Sequence, residues 1–286
     1  MTHVDLHIHS YYSDGTDSPS HVVAAAKLKG LELIAIADHD NLRGFWEAIA
    51  PAKKAGIGLV PAVEITTIDH HLLALDFDPY DKDFSSFVDH SRDTQRFLCE
   101  QRVDLLKAQG IPISLDKVEK RFPCSTLTKY SISKTMTEDP ECKEYLLKNH
   151  EPEKDGTIKI RSILTYYLSE GMIAGTVEKV RWIDWEEAIE AVHKAGGLAI
   201  IAHAAIGADN PKYIPHLLAG VDGIEVQPQF WDQYIPFKEY AESKGLLVSY
   251  GSDFHGKAFD PDSKMLGRER NQLSQNFLDR LRHVQY

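Results

Sequence analysis

The sequence lacks the features of a membrane protein, a disulfide-stabilised protein or a polycation. No apolar run approaches the ~18 residues that cross a bilayer, and only three cysteines occur, far apart and without a CxxC pair. The 286 residues carry 43 acidic and 32 basic side chains, a formal net charge of -11. This charge disfavours general binding to a phosphate backbone or an anionic membrane. We therefore expect a cytoplasmic protein with no membrane partner.

Two common catalytic motifs are also missing. The chain contains neither a GxSxG nucleophile elbow nor a Walker phosphate-binding loop. A serine nucleophile on such an elbow and a nucleotide held by a Walker loop are therefore disfavoured, and the chemistry must depend on other side chains.

The sequence does contain short apolar runs that alternate with amphipathic helical patterns. The run LIAIA at 33–37 is apolar on successive residues, as in a strand that is covered on both faces. Before HVVAAAKLKG, Ser18 and Pro19 provide a cap and a first-turn proline, which predicts a helix. Similar apolar runs recur at 4–9, 58–65, 71–77, 198–203, 223–226 and 246–250. Strands that alternate with helices predict an α/β fold with a parallel barrel or sheet.

Two segments break this alternation. Only six residues separate Glu64 from His71, too few for a parallel crossover, so the strand that begins at His71 is predicted to run antiparallel to its predecessor. From about residue 84 to about residue 180, helical patterns with polar stretches replace the strands. We expect one domain of residues 1–83 and 181–286, with an inserted helical subdomain of residues 84–180.

Histidines and carboxylates follow several of the predicted strands. Alternation places Asp5, His7 and His9 on one face of the first strand, with Leu6 and Ile8 on the other. Such polar groups are costly to bury unless they bind something, and neutral imidazole is the commonest metal ligand. Because other predicted strands also end in His, Asp or Glu, the histidines of the first strand belong to a larger pattern.

The carboxyl ends of parallel barrel strands meet at one mouth, so these residues are predicted to converge there. The candidate metal ligands are His7, His9, Asp14, His39, Glu64, His71, His203, Asp253 and His255. Nine ligands exceed the about four to six positions around one transition metal, which predicts two or three divalent ions. Imidazole with carboxylate and without thiolate suits manganese, iron or zinc better than calcium or magnesium.

The segments that carry these residues resemble the ordered motifs of the PHP superfamily, named for polymerase and histidinol phosphatase. The motifs are DLHIHSYYSDGT, IADHDN, VEITT with the following His71, AIIAHA and GSDFHG. The resemblance implies a distorted seven-stranded (β/α) barrel with a trinuclear metal centre at its carboxyl-terminal mouth. It implies one ion held by His7, His9, Glu64 and Asp253, a second by Glu64, His71 and His203, and a third by Asp14, His39 and His255.

The motif order, with a long helical insert before AIIAHA, is similar to the branch that acts on nucleoside phosphates and on 5' ends of short RNA. The branch's frequent Arg-Pro-His-Ile-Ala stretch corresponds to residues 129–133, where lysine and serine replace its arginine and histidine. Lys129 and Lys134 of the insert, and Lys257 and Arg268 after GSDFHG, are candidate phosphate-binding residues. Their alternative role is that of solvated surface charges.

We therefore expect a phosphatase that hydrolyses a phosphomonoester of a nucleotide, AMP or a 3',5'-nucleoside bisphosphate, by a metal-bound hydroxide. The ligands expected to act in catalysis are Asp14, His39, Glu64 and His255. One alternative is a 5'-3' exonuclease on short RNA or DNA, with Trp231, Tyr234 and Phe237 as stacking surfaces. Others are a histidinol phosphatase and a non-catalytic metal-binding module.

Overall fold

The computed structural model divides into two compact units. The described residues are 3–68, 70–152, 156–177, 182–203, 218–227, 238–239, 241–259, 266–267 and 272–286. The α/β unit comprises Met1–Ser91 and Trp182–Tyr286, and the helical unit comprises Arg92–Arg181. The domain limits expected from the sequence, at residues 84 and 180, stay a prediction.

The strands of the α/β unit form two sheets. The first is parallel, with the order β1 (Val4–Ile8), β2 (Leu33–Ile36) and β3 (Gly58–Leu59). The second has the order β4 (Ala62–Thr66), β5 (His71–Leu75), β6 (Leu198–Ile201), β7 (Gly223–Val226) and β8 (Leu247–Tyr250). β5 is antiparallel to β4 and β6, whereas β6, β7 and β8 are parallel. The predicted α/β class and the predicted antiparallel strand at His71 are therefore confirmed.

Two isolated bridges link the two sheets, each between a strand of one sheet and a residue that follows a strand of the other. Ile8 pairs with Phe254, which follows β8, and His39, which follows β2, pairs with Glu64 of β4. Both bridges are parallel and single. Within the described residues, the continuous ladders thus form two sheets and not one closed barrel.

Alternate residues of the strands pack on opposite sides. From β2, Leu33 and Ala35 join an inner cluster that includes Leu73 of β5, whereas Ile34 and Ile36 pack outward against helical residues. All four β2 residues are buried. Burial on both faces explains why the strand is a continuous apolar run, since each large apolar side chain contributes about 1.5–3 kcal/mol when it leaves water.

Helices flank the strands and form most of the helical unit. Their bounds are α1 Pro19–Leu28, α2 Arg43–Ala55, α3 Lys82–Ala108, α4 Leu115–Arg121, α5 Lys129–Glu138, α6 Pro140–Asn149, α7 Ile160–Ile163, α8 Trp185–Lys194 and α9 Gln275–Leu278. A π-helix, Leu164–Leu168, continues α7. The Ser18 side chain accepts the backbone N–H of His21 at the start of α1, and Pro19 occupies its first position, as predicted. None of the described helices is long and apolar enough to cross a membrane.

The helical unit has its own apolar core. Cys99 and Cys142 are buried in it, Cys124 is exposed, and none of the three forms a disulfide bond. Side chains cap its helices: Thr128 accepts the backbone N–H of Tyr130 at α5, and Asp139 accepts that of Cys142 at α6. Each cap satisfies a backbone donor that the first turn leaves unpaired.

The C-terminal segment is anchored at the end of β5 opposite His71. The buried Asp76 side chain accepts the backbone N–H groups of Arg282 at 2.6 Å and His283 at 2.9 Å. Leu59 and Gln285 exchange two further backbone bonds of 2.8 Å. Asp76 therefore attaches the end of the chain to the sheet.

We predict that Asp76→Ala lowers the free energy of unfolding by about 2 kcal/mol, because two backbone donors lose a charged acceptor. Urea denaturation followed by circular dichroism measures the change. Asp279→Ala is the matched control, since this exposed carboxylate accepts one hydrogen bond from the described residues, from the Gln275 amide. Equal stability of the two variants would contradict the anchoring role.

Candidate metal centre

The inner faces of the strands are apolar at one end and carry ligand candidates at the other. In β4, Ala62 packs in the inner cluster, and Glu64 lies two residues further along the same face. In β5 the order is reversed, because the strand is antiparallel: His71 precedes the inner residue Leu73. This pattern brings side chains from distant parts of the chain to one end of the α/β unit.

Strand β1 departs from the predicted alternation. Val4 and Leu6 pack in the inner cluster, yet His7 contacts Glu64 on the same side. The pairing of β1 with β2 shifts register between Asp5 and Ile8, which interrupts the two-residue period. The prediction that Asp5 shares a face with His7 is therefore wrong: its carboxylate instead accepts the backbone N–H groups of Ser252 and Gly267.

Glu64 lies at the centre of the ligand set and is fully buried. Its Oε2 atom lies 3.1 Å from His7 Nε2, 3.2 Å from His9 Nε2 and 3.2 Å from His39 Nδ1. Its Oε1 atom lies 3.0 Å from His71 Nδ1 and 2.9 Å from His203 Nε2. One carboxylate thus touches five candidate imidazoles.

Asp14 and Asp253 complete the set. Asp14 Oδ1 lies 3.4 Å from His255 Nε2 and 3.5 Å from His9 Nδ1, and Asp14 Oδ2 lies 3.6 Å from His39 Nε2. Asp253 Oδ1 lies 3.2 Å from His9 Nε2 and 3.6 Å from His255 Nδ1. The structure therefore brings all nine predicted ligands into one connected cluster.

Three subsets have one ligand atom per residue within 4.8 Å of the others: His9, Asp14, His39 and His255; His7, His9 and Glu64; and His39, Glu64 and His71. These subsets overlap the three predicted ligand sets without matching them. His9 joins the predicted third set, and His39 stands beside Glu64 and His71 where His203 was expected. The division of ligands among ions stays a prediction.

The imidazoles of the cluster favour the ionised form of the Glu64 carboxylate. Burial opposes ionisation of Glu64, but the imidazoles of His39, His7 and His71 hold its pKa well below the ordinary value. Burial lowers the pKa of His39 to about 4, against the opposing charges of Glu64 and Asp14. Burial of His39 thus favours its neutral form, which is the form that binds a metal.

The donor atoms of the cluster fit divalent cations. Asp14 Oδ1, His39 Nδ1, Glu64 Oε2 and His203 Nδ1 are buried without a hydrogen-bond partner. Buried polar atoms are costly to leave unpaired, and these belong to oxygen and nitrogen donors that suit first-row metal ions. Cations among these atoms would compensate them.

Left-handed backbone occurs at three non-glycine residues of this region: Asp40 with φ 48°, His203 with φ 30° and Asp253 with φ 54°. Such conformations cost free energy and concentrate at functional sites. At His203 the left-handed conformation turns the side chain toward the cluster, which the alternation of a regular strand would not do. The preceding Ala202 belongs to the inner cluster, so a regular strand would turn His203 outward.

Two buried carboxylates that the sequence analysis did not assign support the ligands. Asp38 accepts the Ser10 backbone N–H at 2.7 Å and the Ser13 hydroxyl at 2.6 Å, and the Ser13 oxygen lies 3.2 Å from His9 Nδ1. Glu225 lies 2.9 Å from His7 Nδ1. Its sequence signal was a single acid in the apolar strand GIEV.

The predicted phosphate-binding residues lie in different environments. Lys257 is exposed two positions after His255, and Lys134 forms an ion pair with Glu138 in the helical unit. Arg268 lies outside the described residues, as do the predicted stacking residues Trp231, Tyr234 and Phe237.

Lys129 stands beside a cation that sequence analysis missed. Arg102 is only 5% exposed, its Nε atom has no hydrogen-bond partner, and no ion pair to it occurs among the described residues. Burial lowers the pKa of Lys129, and the Arg102 charge lowers it further, against the opposing charge of Glu170. Lys129 itself is half-buried, so its proposed role in binding phosphate stays a prediction.

Comparison with known proteins identifies related chains. The PHP domain family model matches residues 5–195. A 5'-3' exoribonuclease of Haemophilus influenzae is 32% identical over 266 residues, covering 88% of this chain and 89% of the relative. A 3',5'-nucleoside bisphosphate phosphatase of Chromobacterium violaceum is 29% identical over 266 residues, covering 89% of this chain and 88% of the relative.

Solved structures share the fold. An amidohydrolase from Chromobacterium violaceum, determined with bound sulfate and no metal, superposes with a TM-score of 0.78 at 24% identity, over 99% of this chain and 97% of that one. A Bifidobacterium adolescentis protein named as a metal-dependent phosphoesterase superposes with a TM-score of 0.74 at 25% identity, over 98% and 95%.

We predict that Glu64→Gln lowers the content of divalent metal per chain at least twofold, because the neutral amide cannot replace a carboxylate among five imidazoles. Elemental analysis of protein purified without chelators measures the content. Glu47→Gln is the control: its carboxylate accepts the Tyr11 and Tyr12 hydroxyls and lies outside the nine-residue cluster. Unchanged metal content in Glu64→Gln would contradict its central position.

Proposed function

The chain belongs to the PHP domain family, and from this premise we propose that it is a metal-dependent phosphatase of a nucleotide-like phosphomonoester. AMP and 3',5'-nucleoside bisphosphates are the substrates that we propose, since a relative that this chain matches over most of its length is named for the latter. The observation that carries the proposal is the convergence of nine imidazole and carboxylate side chains, with Glu64 at the centre of the other eight.

We propose that the nine cluster residues hold two or three ions of manganese, iron or zinc. When bound, such cations lower the pKa of a water molecule and neutralise charge on phosphoryl oxygens. The chain holds these charges in place: Glu64 is 1% exposed at its side chain and lies below the rim residues His71, Asp253 and His255, which are 35%, 23% and 25% exposed. The substrate phosphate would therefore approach over the rim, with Glu64 beneath it.

The four ligands proposed to act in catalysis surround this approach. His39 and Asp14 contact each other, Asp14 contacts His255, and His39 contacts Glu64. These contacts keep each side chain in one orientation, so the reacting groups need little rearrangement when substrate binds.

The strands are proposed to form the distorted seven-stranded barrel of the family. β3 ends at Leu59 and β4 begins at Ala62, so the two segments read as one interrupted strand and give seven in total. The bridges between Ile8 and Phe254 and between His39 and Glu64 support closure at the ligand end.

Arg102 joins Lys129 as a proposed phosphate-binding residue. We propose that these two cations bind a phosphate group of the substrate, because an anion would relieve both the repulsion between them and the burial of an unpaired guanidinium. Lys134 is the weaker candidate, since Glu138 already compensates its charge.

A 5'-3' exoribonuclease is the second candidate function. The relative from Haemophilus influenzae bears this name and is 32% identical. Both functions require hydrolysis of a phosphate ester, a monoester in the phosphatase and a diester in the exoribonuclease, so the same metal cluster would serve either of them. The length of the nucleic-acid substrate distinguishes them.

We expect the protein to release phosphate from AMP or a 3',5'-nucleoside bisphosphate in the presence of manganese, and to lose this activity when a chelator removes the metal. A short 5'-phosphorylated RNA in the same assay tests the exoribonuclease function through the appearance of mononucleotides. His39→Ala is the inactive control, because it removes a buried ligand without changing the apolar core. Inactivity of the metal-loaded protein on all three substrates would contradict both functions.

Lys129→Met and Arg102→Met are predicted to raise the KM for a nucleoside bisphosphate about tenfold, the loss expected for one charge-assisted hydrogen bond. Methionine keeps apolar volume, and Arg102→Met should not lower the melting temperature, because it removes a buried unpaired charge. Lys148→Met is the control, since this exposed lysine of α6 pairs with Glu144 and is not a candidate phosphate-binding residue. An equal KM in all three variants would contradict the anion site.

A further inference from the structure

We propose that Glu225 is a positioning residue that orients two metal ligands at once, His7 through its side chain and His203 through its backbone. The inference rests on the proposed function, since it assumes that the cluster around Glu64 binds cations. It adds a residue that neither the motifs nor the nine-ligand set includes.

Glu225 lies in β7, and its side chain is completely buried. Both carboxylate oxygens are used: Oε1 lies 2.9 Å from His7 Nδ1, and Oε2 accepts the backbone N–H of His203 at 2.7 Å. The chain positions of the three residues are far apart, so the carboxylate ties strands β1, β6 and β7 together next to the ligands.

The contact with His7 determines which nitrogen carries the proton. A carboxylate accepts hydrogen bonds, so His7 Nδ1 must donate, and its Nε2 lone pair is then available to a cation. His7 Nε2 points to the shared donors, 3.1 Å from Glu64 Oε2 and 3.1 Å from His9 Nε2. A carboxylate behind a ligating histidine is a common arrangement at metal sites because it fixes the ring and increases its basicity.

The contact with His203 acts on the backbone. His203 has φ 30°, a conformation that L-residues adopt at a cost, and the hydrogen bond from its N–H to Glu225 compensates for it. In this conformation His203 Nε2 lies 2.9 Å from Glu64 Oε1. Glu225 therefore holds both His7, which contacts Glu64 Oε2, and His203, which contacts Glu64 Oε1.

Space for Glu225 depends on Gly251, the first residue of the GSDFHG motif. A Cβ atom at position 251 would lie 2.2 Å from Glu225 Oε1 and 2.3 Å from His7 Cβ. Neither neighbour can yield without breaking the bond between Glu225 and His7. Position 251 must therefore be glycine, because a larger residue would displace Glu225 or His7 beside the candidate metal centre.

Among the described residues, the carboxylate of Glu225 pairs with an imidazole and a backbone N–H but with no lysine or arginine. His7 is therefore the only side chain beside Glu225, among the described residues, through which a positive charge can reach the carboxylate. Cations held by His7 and its neighbours would supply that positive charge, so removing the charge of the carboxylate is expected to weaken their binding.

The test is the affinity of the purified, metal-depleted protein for Mn²⁺, measured by titration calorimetry for the unmodified chain and for Glu225→Gln. The amide keeps the shape of the side chain but offers one acceptor to two donors. We expect a 10- to 100-fold weaker Kd for Mn²⁺, the effect typical of lost partners behind metal ligands. The melting temperature of the metal-free variant should fall no further than that of Asp76→Asn, in which an amide likewise replaces a buried carboxylate that accepts from two donors.

Asp76→Asn is the matched control, since it neutralises another buried carboxylate that accepts two backbone N–H groups, at the opposite end of β5. It should leave the Kd for Mn²⁺ unchanged. Equal Mn²⁺ affinity of Glu225→Gln and the unmodified chain would overturn the positioning role, as would a loss of metal-free stability with normal affinity. Failure of the unmodified chain itself to bind Mn²⁺ would instead overturn the proposed function.

Discussion

The structure depends on one buried carboxylate. Glu64 is removed from water and touched by five imidazoles, which no apolar core would tolerate without compensation. Strands β1, β2, β5 and β6 each contribute an imidazole, within the strand or just after it, that offsets this charge. The bridge between His39 and Glu64 joins the segment after β2 to β4 at the same point. The polar end of the inner face is thus specified by electrostatics, and the opposite end by apolar packing.

A second layer of polar groups makes this arrangement rigid. Asp38 holds the loop after β1 through Ser10 and Ser13, and Glu225 holds His7 and His203. Both carboxylates are fully buried. A centre built from loosely held side chains would rearrange when cations and substrate bind, whereas ligands that are already oriented lose little free energy on binding. The left-handed residues at the strand ends belong to the same layer, since hydrogen bonds retain conformations that are otherwise unfavourable.

The helical unit contains a buried positive charge, whereas the centre of the nine-residue cluster is a buried carboxylate. In the α/β unit, carboxylates are compensated by imidazoles, but Arg102 is a buried cation with no anion beside it among the described residues. A phosphate ester would supply the anionic partner that Arg102 does not have among the described residues. Phosphate is also a group that divalent cations stabilise. Phosphate binding by Arg102 and Lys129 therefore stays a proposal, separate from the proposed binding of cations by the nine-residue cluster.

Sequence alone determined the α/β class, the antiparallel strand at His71 and the identity of all nine clustered side chains, because each follows from short-range patterns: apolar runs, a connection too short for a crossover, and polar residues at strand ends. Tertiary structure decided the rest. The register shift in β1 separates Asp5 from His7, the left-handed turn aims His203, and Glu225 and Arg102 acquire their importance from neighbours far away in the chain. Periodicity predicts the direction of a side chain only while a strand is regular, and burial without a partner is a property of the folded surroundings that no local pattern contains.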